Sequence, residues 1–221
     1  MIRVEFHCHT SYSKDCLTSP RRLVAACSSK GIDRVMVTDH NTIAGALRAQ
    51  ALDPARVIVG EEIMTSHGEL LAAFVTREVP PGLAPLTAIE RLREQGAFVS
   101  VAHPFDRSRA GSWQESDLLG ILELVDAIEV FNSRCISNAF NRRAQEFAEQ
   151  HGLAGTVGSD AHTTFELGRS NLLMEPFEDA AGLRRAIPQA IAHTKWTPPW
   201  IHLTSRYAVL RKRLGVGLDT A

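Results

Sequence analysis

Two histidines near the start of the chain lie two residues apart at the end of an apolar segment. The segment IRVEF runs into His7, Cys8 and His9, and Asp15 follows six residues after His9. Because successive side chains of a β-strand point to opposite faces, His7 and His9 can reach one metal ion while Cys8 faces the core. Imidazole and carboxylate ligands without thiolate suit Zn²⁺, Mn²⁺ or Fe²⁺, and the sequence does not choose among them.

The same types of side chain follow five further apolar segments. They are Asp39 and His40 in VTDHN, Glu61 and Glu62 in GEEI, His103 in VAHPF, Asn132 and Arg134 in VFNSR, and Asp160 and His162 in GSDAH. Each motif is weak alone, but five of the nine histidines fall at such segment ends, which predicts a metal site. The ligands outnumber those that one ion needs, and a carboxylate such as Glu62 can bridge two ions about 3.5–4 Å apart.

Short strand-like segments alternate with helical segments, and this order must position the polar side chains. The strand segments are rich in Val, Ile, Leu and Phe, as buried parallel strands are, and the first helical segment begins at Ser19 and stops at Gly31. About seven such units predict an α/β fold with a distorted (β/α)7 barrel, in which EEI and ELLAAF form a hairpin. The carboxyl ends of barrel strands share one rim, so we expect the scattered residues to converge there.

Composition and charge are those of an ordinary globular protein. The 221 residues are 44% hydrophobic and 22% charged, and their net charge of -1 argues against a basic field over the whole surface. No apolar run is long enough to cross a membrane, the N-terminus does not resemble a signal peptide, and the four cysteines form no CxxC pair. We therefore expect reduced thiols, a cytoplasmic location and no membrane partner.

The chain is expected to form one domain over residues 1–192, followed by a C-terminal extension over residues 193–221. In the extension, SRYAVLRKRLG predicts a short basic helix after a Pro-Pro pair. We expect this helix to pack its apolar side on the domain, and contact of its basic residues with nucleic acid is the alternative. The residues of that apolar side are Tyr207, Val209, Leu210 and Leu214.

Taken in order, these motifs resemble the polymerase-and-histidinol-phosphatase (PHP) superfamily of metal-dependent phosphoesterases. The segments that carry the resemblance are FHCHTSYSKD, VTDHNT, GEEIMTSHGELLAAF, AHPFDR, IEVFNSR and GSDAHT, and they extend over nearly the whole predicted domain. The resemblance implies a distorted, TIM-like barrel of seven strands with two or three divalent metal ions at its rim.

The resemblance also implies a set of metal ligands, which we carry over by position. The ligands would be His7, His9, Glu62 and Asp160 for one ion, Asp15, His40 and His162 for a second, and Glu62, Glu69 and His103 for a third. Many members have a histidine where this chain has Glu69, so His67 is its rival, as Glu61 is the rival of Glu62. Asp39 is expected to support a ligand rather than to bind a metal itself.

The activity that the resemblance implies is hydrolysis of a phosphoester by a metal-bound hydroxide. The candidate proton donors to the leaving oxygen are His9, His40 and His103. The candidates for holding the phosphate and lining the pocket are Arg107, Arg134, Arg169 and Asn132. The expected substrate is a small phosphorylated molecule, either a phosphomonoester or a nucleotide.

Three alternatives remain open at the level of the sequence. An exonuclease acting on the 5′ ends of oligonucleotides would need the same metals and a basic groove with aromatic residues, and its binding would depend on salt. An amidohydrolase-type barrel also uses HxH after its first strand, but no lysine stands at a strand end here. A metal-binding scaffold would hydrolyse no phosphoester.

The chain has no room for an inserted helical domain, so we expect a pocket that is open or completed by another subunit.

Overall fold

Nine β-strands form one continuous sheet in the computed structural model, which describes residues 1–215. The strands are β1 (Ile2–Cys8), β2 (Arg34–Val37), β3 (Val57–Met64), β4 (Glu69–Ala73), β5 (Phe98–Val101), β6 (Ala127–Asn132), β7 (Ala154–Gly158), β8 (Asn171–Met174) and β9 (Ile191–His193). The α-helices are α1 (Pro20–Ser29), α2 (Ala44–Leu52), α3 (Pro85–Arg93), α4 (Glu115–Leu119), α5 (Asn138–His151), α6 (Ala180–Ala186) and α7 (His202–Arg213). Residues 216–221 of the expected extension lie outside the described residues.

The sheet curls into a nearly closed barrel. Its strands follow the spatial order β7-β6-β5-β4-β3-β2-β1-β8-β9. The end of β1 also meets the segment just after β7, because the N–H of His9 donates to the carbonyl of Ala161 and the N–H of Ala161 donates to the carbonyl of His7. This closure brings the first and the seventh strand together, so the predicted α/β barrel is confirmed.

The sheet is mixed rather than wholly parallel. The pairs β1–β2, β2–β3, β5–β6 and β6–β7 are parallel, whereas β4 runs antiparallel to both β3 and β5. The predicted hairpin is β3–β4, in which Met64 lies opposite Glu69. The antiparallel strands β8 and β9 lie beyond β1. The sequence did not indicate β9, because it has only three residues, all exposed, and therefore lacks an alternating apolar pattern.

Helix boundaries follow from local sequence. Ser19 caps α1 by accepting a hydrogen bond from the N–H of Arg22, and Pro20 occupies the first turn. Ser137 caps α5 by accepting from the N–H of Ala139. The α5 helix ends at Gly152, whose φ of 65° lies in the left-handed region that a residue without a Cβ adopts without strain.

Two apolar clusters fix the strands from which the polar residues project. One joins the sheet to its surrounding helices and includes Leu23 of α1 and Phe147 of α5. The other joins the strands to α6 and includes Phe6 and Leu183. Cys8 belongs to the first cluster and is completely buried, and its thiol donates to the carbonyl of Met36. The interpretation of Cys8 as a core residue is therefore confirmed.

The α7 helix lies against the rim of the barrel, but with a face other than the one expected. Its Lys212 ammonium donates to the carbonyls of Ser11 and Ser13. Tyr207, Leu210 and Leu214, expected to be buried, are exposed, while Ala208 is buried. The prediction was wrong because the rim presents carbonyl and hydroxyl groups, which attract the polar side of the helix. No helix within residues 1–215 is both long and apolar enough to cross a bilayer.

Candidate metal centre

Imidazole and carboxylate groups from distant parts of the chain meet at the carboxyl end of the barrel. Three groups of side chains have ligand atoms that all lie within 4.8 Å of one another. The groups are His7, His9 and Glu62; His9, His40 and His162; and His40, Glu62 and Glu69. The H-x-H interpretation agrees with this geometry, since the rings of His7 and His9 lie 5.1 Å apart.

Glu62 occupies the middle of this cluster. Its Oε1 lies 3.3 Å from Nε2 of His7 and 3.1 Å from Nε2 of His103, and its Oε2 lies 2.8 Å from Nδ1 of His40. Glu61 points away, as alternation along β3 requires, and accepts a hydrogen bond from the N–H of Val79. The geometry therefore favours Glu62 over Glu61 as a bridging carboxylate.

Two aspartates complete the carboxylate set. Oδ1 of Asp160 lies 3.2 Å from Nε2 of His9. Oδ2 of Asp15 lies 3.1 Å from Nε2 of His162, and its Oδ1 lies 3.7 Å from Nε2 of His40. The loop after β1 therefore brings Asp15 to the same rim as the residues that follow β2 and β7.

Glu69 rather than His67 faces the cluster. The Glu69 carboxylate lies 3.7 Å from Nδ1 of His40 and 3.5 Å from Nε2 of His103. His67 is exposed at the β3–β4 turn, where its ring bonds to the hydroxyl of Ser66. The geometry therefore favours Glu69 as the residue that completes the third group.

Opposite charges keep the central carboxyl groups ionised. Burial alone would favour their neutral forms, but the imidazoles of His7 and His40 hold the pKa of Glu62 well below its ordinary value. Burial likewise opposes ionisation of Asp160, yet the Arg109 guanidinium and His7 hold its pKa well below the ordinary value. Both groups therefore present the negative charge that divalent cations require.

The imidazoles divide into two kinds. Burial disfavours the charged form of His40, but Glu62 and Asp15 outweigh this effect and hold its pKa well above the ordinary value. His9 shows the opposite shift, because burial and the neighbouring His162 lower its pKa to about 3. His9 is therefore neutral near pH 7, which is the form that binds metal ions.

A buried nitrogen shows that this donor set fits a metal ion. Nε2 of His7 is buried and, within the described part of the chain, has no hydrogen-bond partner. Oxygens of Glu62 and Asp160 lie 3.3 and 3.7 Å from it. An unpaired buried nitrogen beside two carboxylates is costly unless a cation lies between them. Nitrogen and carboxylate oxygen donors together suit Zn²⁺, Mn²⁺ or Fe²⁺.

Glu129, to which the sequence interpretation gave no role, lies directly behind the cluster. Its Oε1 is 3.0 Å from Nδ1 of His7, and its Oε2 accepts from the N–H of His103 and the amide of Asn132. The bond to Nδ1 fixes the tautomer that leaves Nε2 of His7 free. A side chain at Gly158 would collide with Glu129 and His7, so a glycine is needed there. The available signal was an acidic residue within the apolar strand AIEVFN.

Asp39 supports the cluster indirectly, through the loop after β1. Its carboxylate accepts from the N–H of Thr10 at 2.7 Å and from the hydroxyl of Ser13 at 2.6 Å. The Ser13 hydroxyl in turn lies 3.2 Å from Nδ1 of His9. This arrangement agrees with the supporting role expected for Asp39. The imidazole that it supports through Ser13 is that of His9, not that of its neighbour His40.

Of the two arginines in the loop after β5, Arg109 rather than Arg107 contacts the cluster. Arg107 is exposed, whereas Arg109 donates to the carboxylates of Asp160 and Asp106. Nη2 of Arg109 also lies 3.5 Å from the amide oxygen of Asn132. The loop after β5 therefore places Arg109 where a guanidinium could meet a substrate phosphate.

The other predicted arginines have different surroundings. Arg134 is buried beside Nδ1 of His162, and its Nε lies 3.1 Å from the Glu166 carboxylate. Arg169 donates to the carbonyl of Trp196, and its guanidinium lies 5.2 Å from the centre of the Phe165 ring. Arg134 therefore borders the cluster, and Arg169 faces the C-terminal extension. Asn132 borders the cluster as well, since its amide lies 3.3 Å from Asp160.

The backbone is strained at two residues of the cluster, Asp160 and His103. The φ angle is 51° at Asp160 and 21° at His103. Residues with a Cβ rarely adopt positive φ, and such strain persists mostly where function requires a particular side-chain direction. Both residues follow directly from strand ends into the cluster.

Comparison with known proteins agrees with the geometry. A sequence model described as PHP domain matches residues 5–92, and one described as PHP-associated matches residues 138–190. An uncharacterized protein of Methanocaldococcus jannaschii is 38% identical over 173 residues, which cover 76% of this chain and 69% of that protein. This chain belongs to the PHP domain family. Members of the PHP superfamily are generally metal-dependent phosphoesterases.

Solved structures share the fold of this PHP protein. A two-domain protein from Bacteroides vulgatus, described as containing a "predicted PHP-like metal-dependent phosphoesterase", superposes with a TM-score of 0.67 at 19% identity. The match covers 87% of this chain and only 64% of that protein. A lesion-specific endonuclease from Pyrococcus furiosus has a TM-score of 0.58 at 14% identity, over 99% of this chain and 79% of the endonuclease.

Proposed function

We propose that this PHP protein hydrolyses small phosphomonoesters with the help of two or three divalent cations. The observation that carries the proposal is the convergence of nine predicted ligands on one rim, with the Glu62 carboxylate within 3.5 Å of four imidazoles. Such cations, when bound, lower the pKa of water and stabilise negative charge on phosphate oxygens.

Each proposed cation has a group of residues suited to hold it. The first group is His7, His9, Glu62 and Asp160; the second is Asp15, His40 and His162; and the third is Glu62, Glu69 and His103. The donors are imidazole nitrogens and carboxylate oxygens in every group, which leaves Zn²⁺, Mn²⁺ and Fe²⁺ as the candidates.

The residues around the cations have separate tasks in the proposed reaction. Arg109 and Arg134 border the cluster and could hold phosphate oxygens with paired N–H groups. Among the candidate proton donors, His9 is neutral near pH 7 and His103 is buried. His40 is the most exposed of the three, so we propose that it protonates the leaving oxygen when its ring is not held by a cation.

A panel of phosphoesters tests the proposal directly. Protein loaded with Mn²⁺, Fe²⁺ or Zn²⁺ and quantified for metal would be assayed on p-nitrophenyl phosphate, sugar phosphates and nucleoside monophosphates. We expect His9→Ala and Asp160→Ala to lose bound metal and to reduce kcat/KM by about a thousandfold or more while staying folded. Glu61→Gln is the matched control, because Glu61 is the neighbouring acid that faces away from the cluster.

Two outcomes would contradict the proposal. Full activity in either ligand variant would show that the assignment of ligands is wrong. Absence of turnover on every phosphoester with every metal, in protein that binds metal, would favour the non-catalytic scaffold instead.

Hydrolysis at the end of an oligonucleotide is a second candidate, favoured by an exposed aromatic pair. The rings of Phe165 and Trp200 lie 6.2 Å apart, and the Arg169 guanidinium lies over Phe165. Both aromatic rings are more than half exposed, and Phe165 is only three residues from His162. Exposed aromatic rings beside a cation can stack with bases of single strands. Cleavage of a 5′-phosphorylated oligonucleotide, with binding that weakens steeply as salt rises, would select this candidate.

A further inference from the structure

The acidic residues are unevenly distributed along the chain, although its net charge is close to zero. Residues 180–215 contain no Asp or Glu, while the chain as a whole has 25 acidic residues and 24 Lys and Arg. The cations of this acid-free run are Arg184, Arg185, Lys195, Arg206, Arg211, Lys212 and Arg213. Such asymmetry indicates a partner with negative charge.

The α7 helix within this run presents a stripe of large apolar residues to solvent. The stripe consists of Leu203, Tyr207, Leu210 and Leu214, whose spacing of four, three and four residues puts them on one face. Their exposed fractions are 62%, 57%, 57% and 67%. Single exposed apolar residues are common, but a continuous stripe indicates a binding surface.

The stripe cannot turn inward, because the opposite face of α7 is fastened to the barrel. Lys212 donates to the carbonyls of Ser11 and Ser13, and the hydroxyl of Ser205 accepts from Arg134. Ala208 is buried between these polar contacts. The outward direction of the stripe is therefore a property of the folded chain.

Arginines accompany the stripe on the solvent side of α7. Arg206 and Arg213 are exposed, and both lie on the side of the helix away from the buried Ala208. The surface thus combines apolar side chains with guanidinium groups, and no acidic residue occurs in the helix.

Against the expectation of no membrane partner from the sequence, we infer that the exposed face of α7 binds the surface of an anionic phospholipid bilayer. A helix that lies in the interface places its apolar side chains at the level of the acyl chains and its cations at the lipid phosphates. Nucleic acid would offer phosphates but no apolar phase for the leucines. A second copy of α7 would bring arginines together with no acidic residue to pair with them.

Vesicle binding by the full chain tests the inference. The probes are vesicles of phosphatidylcholine alone and vesicles with about 30% phosphatidylglycerol, in about 0.1 M salt with a metal chelator present. We expect co-sedimentation with the anionic vesicles alone. A blue shift of tryptophan emission should accompany it, because Trp200 precedes the stripe by three residues and is exposed.

Two variants separate the apolar from the electrostatic contribution. L203S/L210S/L214S should weaken vesicle binding by about a hundredfold or more, since each leucine loses its apolar burial. R206S/R213S should weaken it by roughly thirtyfold. The matched control is L86S/L119S, which replaces leucines that are 50% and 51% exposed on α3 and α4 and should bind as the parent does. Circular dichroism and a thermal melt of each variant establish whether it is folded. If the triple variant does not fold, the single variant Leu210→Ser is tested in its place.

Three results would overturn the inference. The first is that the protein binds neutral and anionic vesicles equally, or binds neither kind. The second is salt-dependent binding of an oligonucleotide without vesicle binding, lost in R206S/R213S. The third is a dimer in solution that L203S/L210S/L214S dissociates, again without vesicle binding. None of these depends on the proposed hydrolysis, because the chelator removes the cations, and hydrolysis of a soluble phosphomonoester can be measured separately in the same variants.

Discussion

The barrel carries two clusters of charged residues, one at each end, and they differ in how completely their polar atoms are paired. At the amino-terminal end, Asp126 accepts hydrogen bonds from Arg93, from Arg184 and from the N–H of Val99. At the carboxyl end, the buried Nε2 of His7 has no hydrogen-bond partner inside the range 1–215. The same kinds of residue thus form a closed network at one end and an open one at the other.

The difference shows how stability and function are divided between the two ends. Burial opposes ionisation of Asp126, but the bonds from Arg93 and Arg184 lower its pKa, so the native fold gains from this charge. In the open cluster, unpaired donors and acceptors cost stability unless a ligand satisfies them. We therefore expect cations to stabilise the carboxyl end and to leave the contribution of the other end unchanged.

Metal addition should separate the two ends most clearly. At a free Mn²⁺ or Zn²⁺ concentration about 100 times Kd, we expect the free energy of unfolding to rise by about 2.7 kcal/mol for each site that fills. Asp126→Asn should show the same increment, because it leaves the open cluster intact. Asp160→Ala should show a smaller increment, because the first group has lost a ligand. Chemical denaturation with and without metal measures the increment, and an equal rise in all three proteins would contradict the assignment.

Removing the carboxylate behind His7 should weaken metal binding without removing a ligand. Glu129→Gln should lower metal affinity by about 10–100-fold, because the amide no longer favours the tautomer that leaves Nε2 of His7 free. Isothermal titration with Zn²⁺ measures the change. Glu61→Gln, on the opposite face of the barrel wall, should bind Zn²⁺ as the parent does, and an equal loss in both variants would refute a specific role for Glu129.

The two arginines of the loop after β5 should differ in their effect on substrate binding. Arg109→Ala should raise KM for a phosphomonoester by about tenfold, since a guanidinium that binds phosphate is lost. Arg107→Ala should change KM by less than about twofold, because its side chain is exposed. Steady-state kinetics on the two variants compares them, and the reverse order would restore Arg107 as the phosphate-binding residue.

The closed network should contribute a smaller, pH-dependent increment of stability. Asp126→Asn should lower the free energy of unfolding by about 1 kcal/mol at pH 7, a modest value because its arginine partners are partly exposed. The pKa of Asp126 is lowered in the fold, so this contribution is present above the unfolded-state pKa and is lost as pH falls through the folded-state pKa. Urea unfolding from pH 7 to about pH 3 should therefore show the parent and the variant converging. A constant difference across this range would mean that the Asp126 charge is not the cause.

The sequence predicted the barrel and the convergence of the ligands because both depend on local patterns. His7 and His9 follow strand alternation, and His40, Glu62 and His103 stand at ends of apolar segments. What it could not predict depends on tertiary packing. The loop after β5 decides that Arg109 rather than Arg107 turns toward Asp160, and the polar rim decides which face of α7 is buried. Glu129 is a third case. The sequence shows an acidic residue within an apolar strand, but its partner, His7, is known only once the fold brings β1 and β6 together.

The central position of Glu62 has a consequence for the order in which cations enter. One carboxylate faces imidazoles of all three groups, at His7, His40 and His103. A cation bound at any one group would orient this carboxylate for the others and partly neutralise it. We therefore expect occupancy of the three proposed groups to be interdependent, so that a titration of the protein with metal departs from the curve of independent, identical sites.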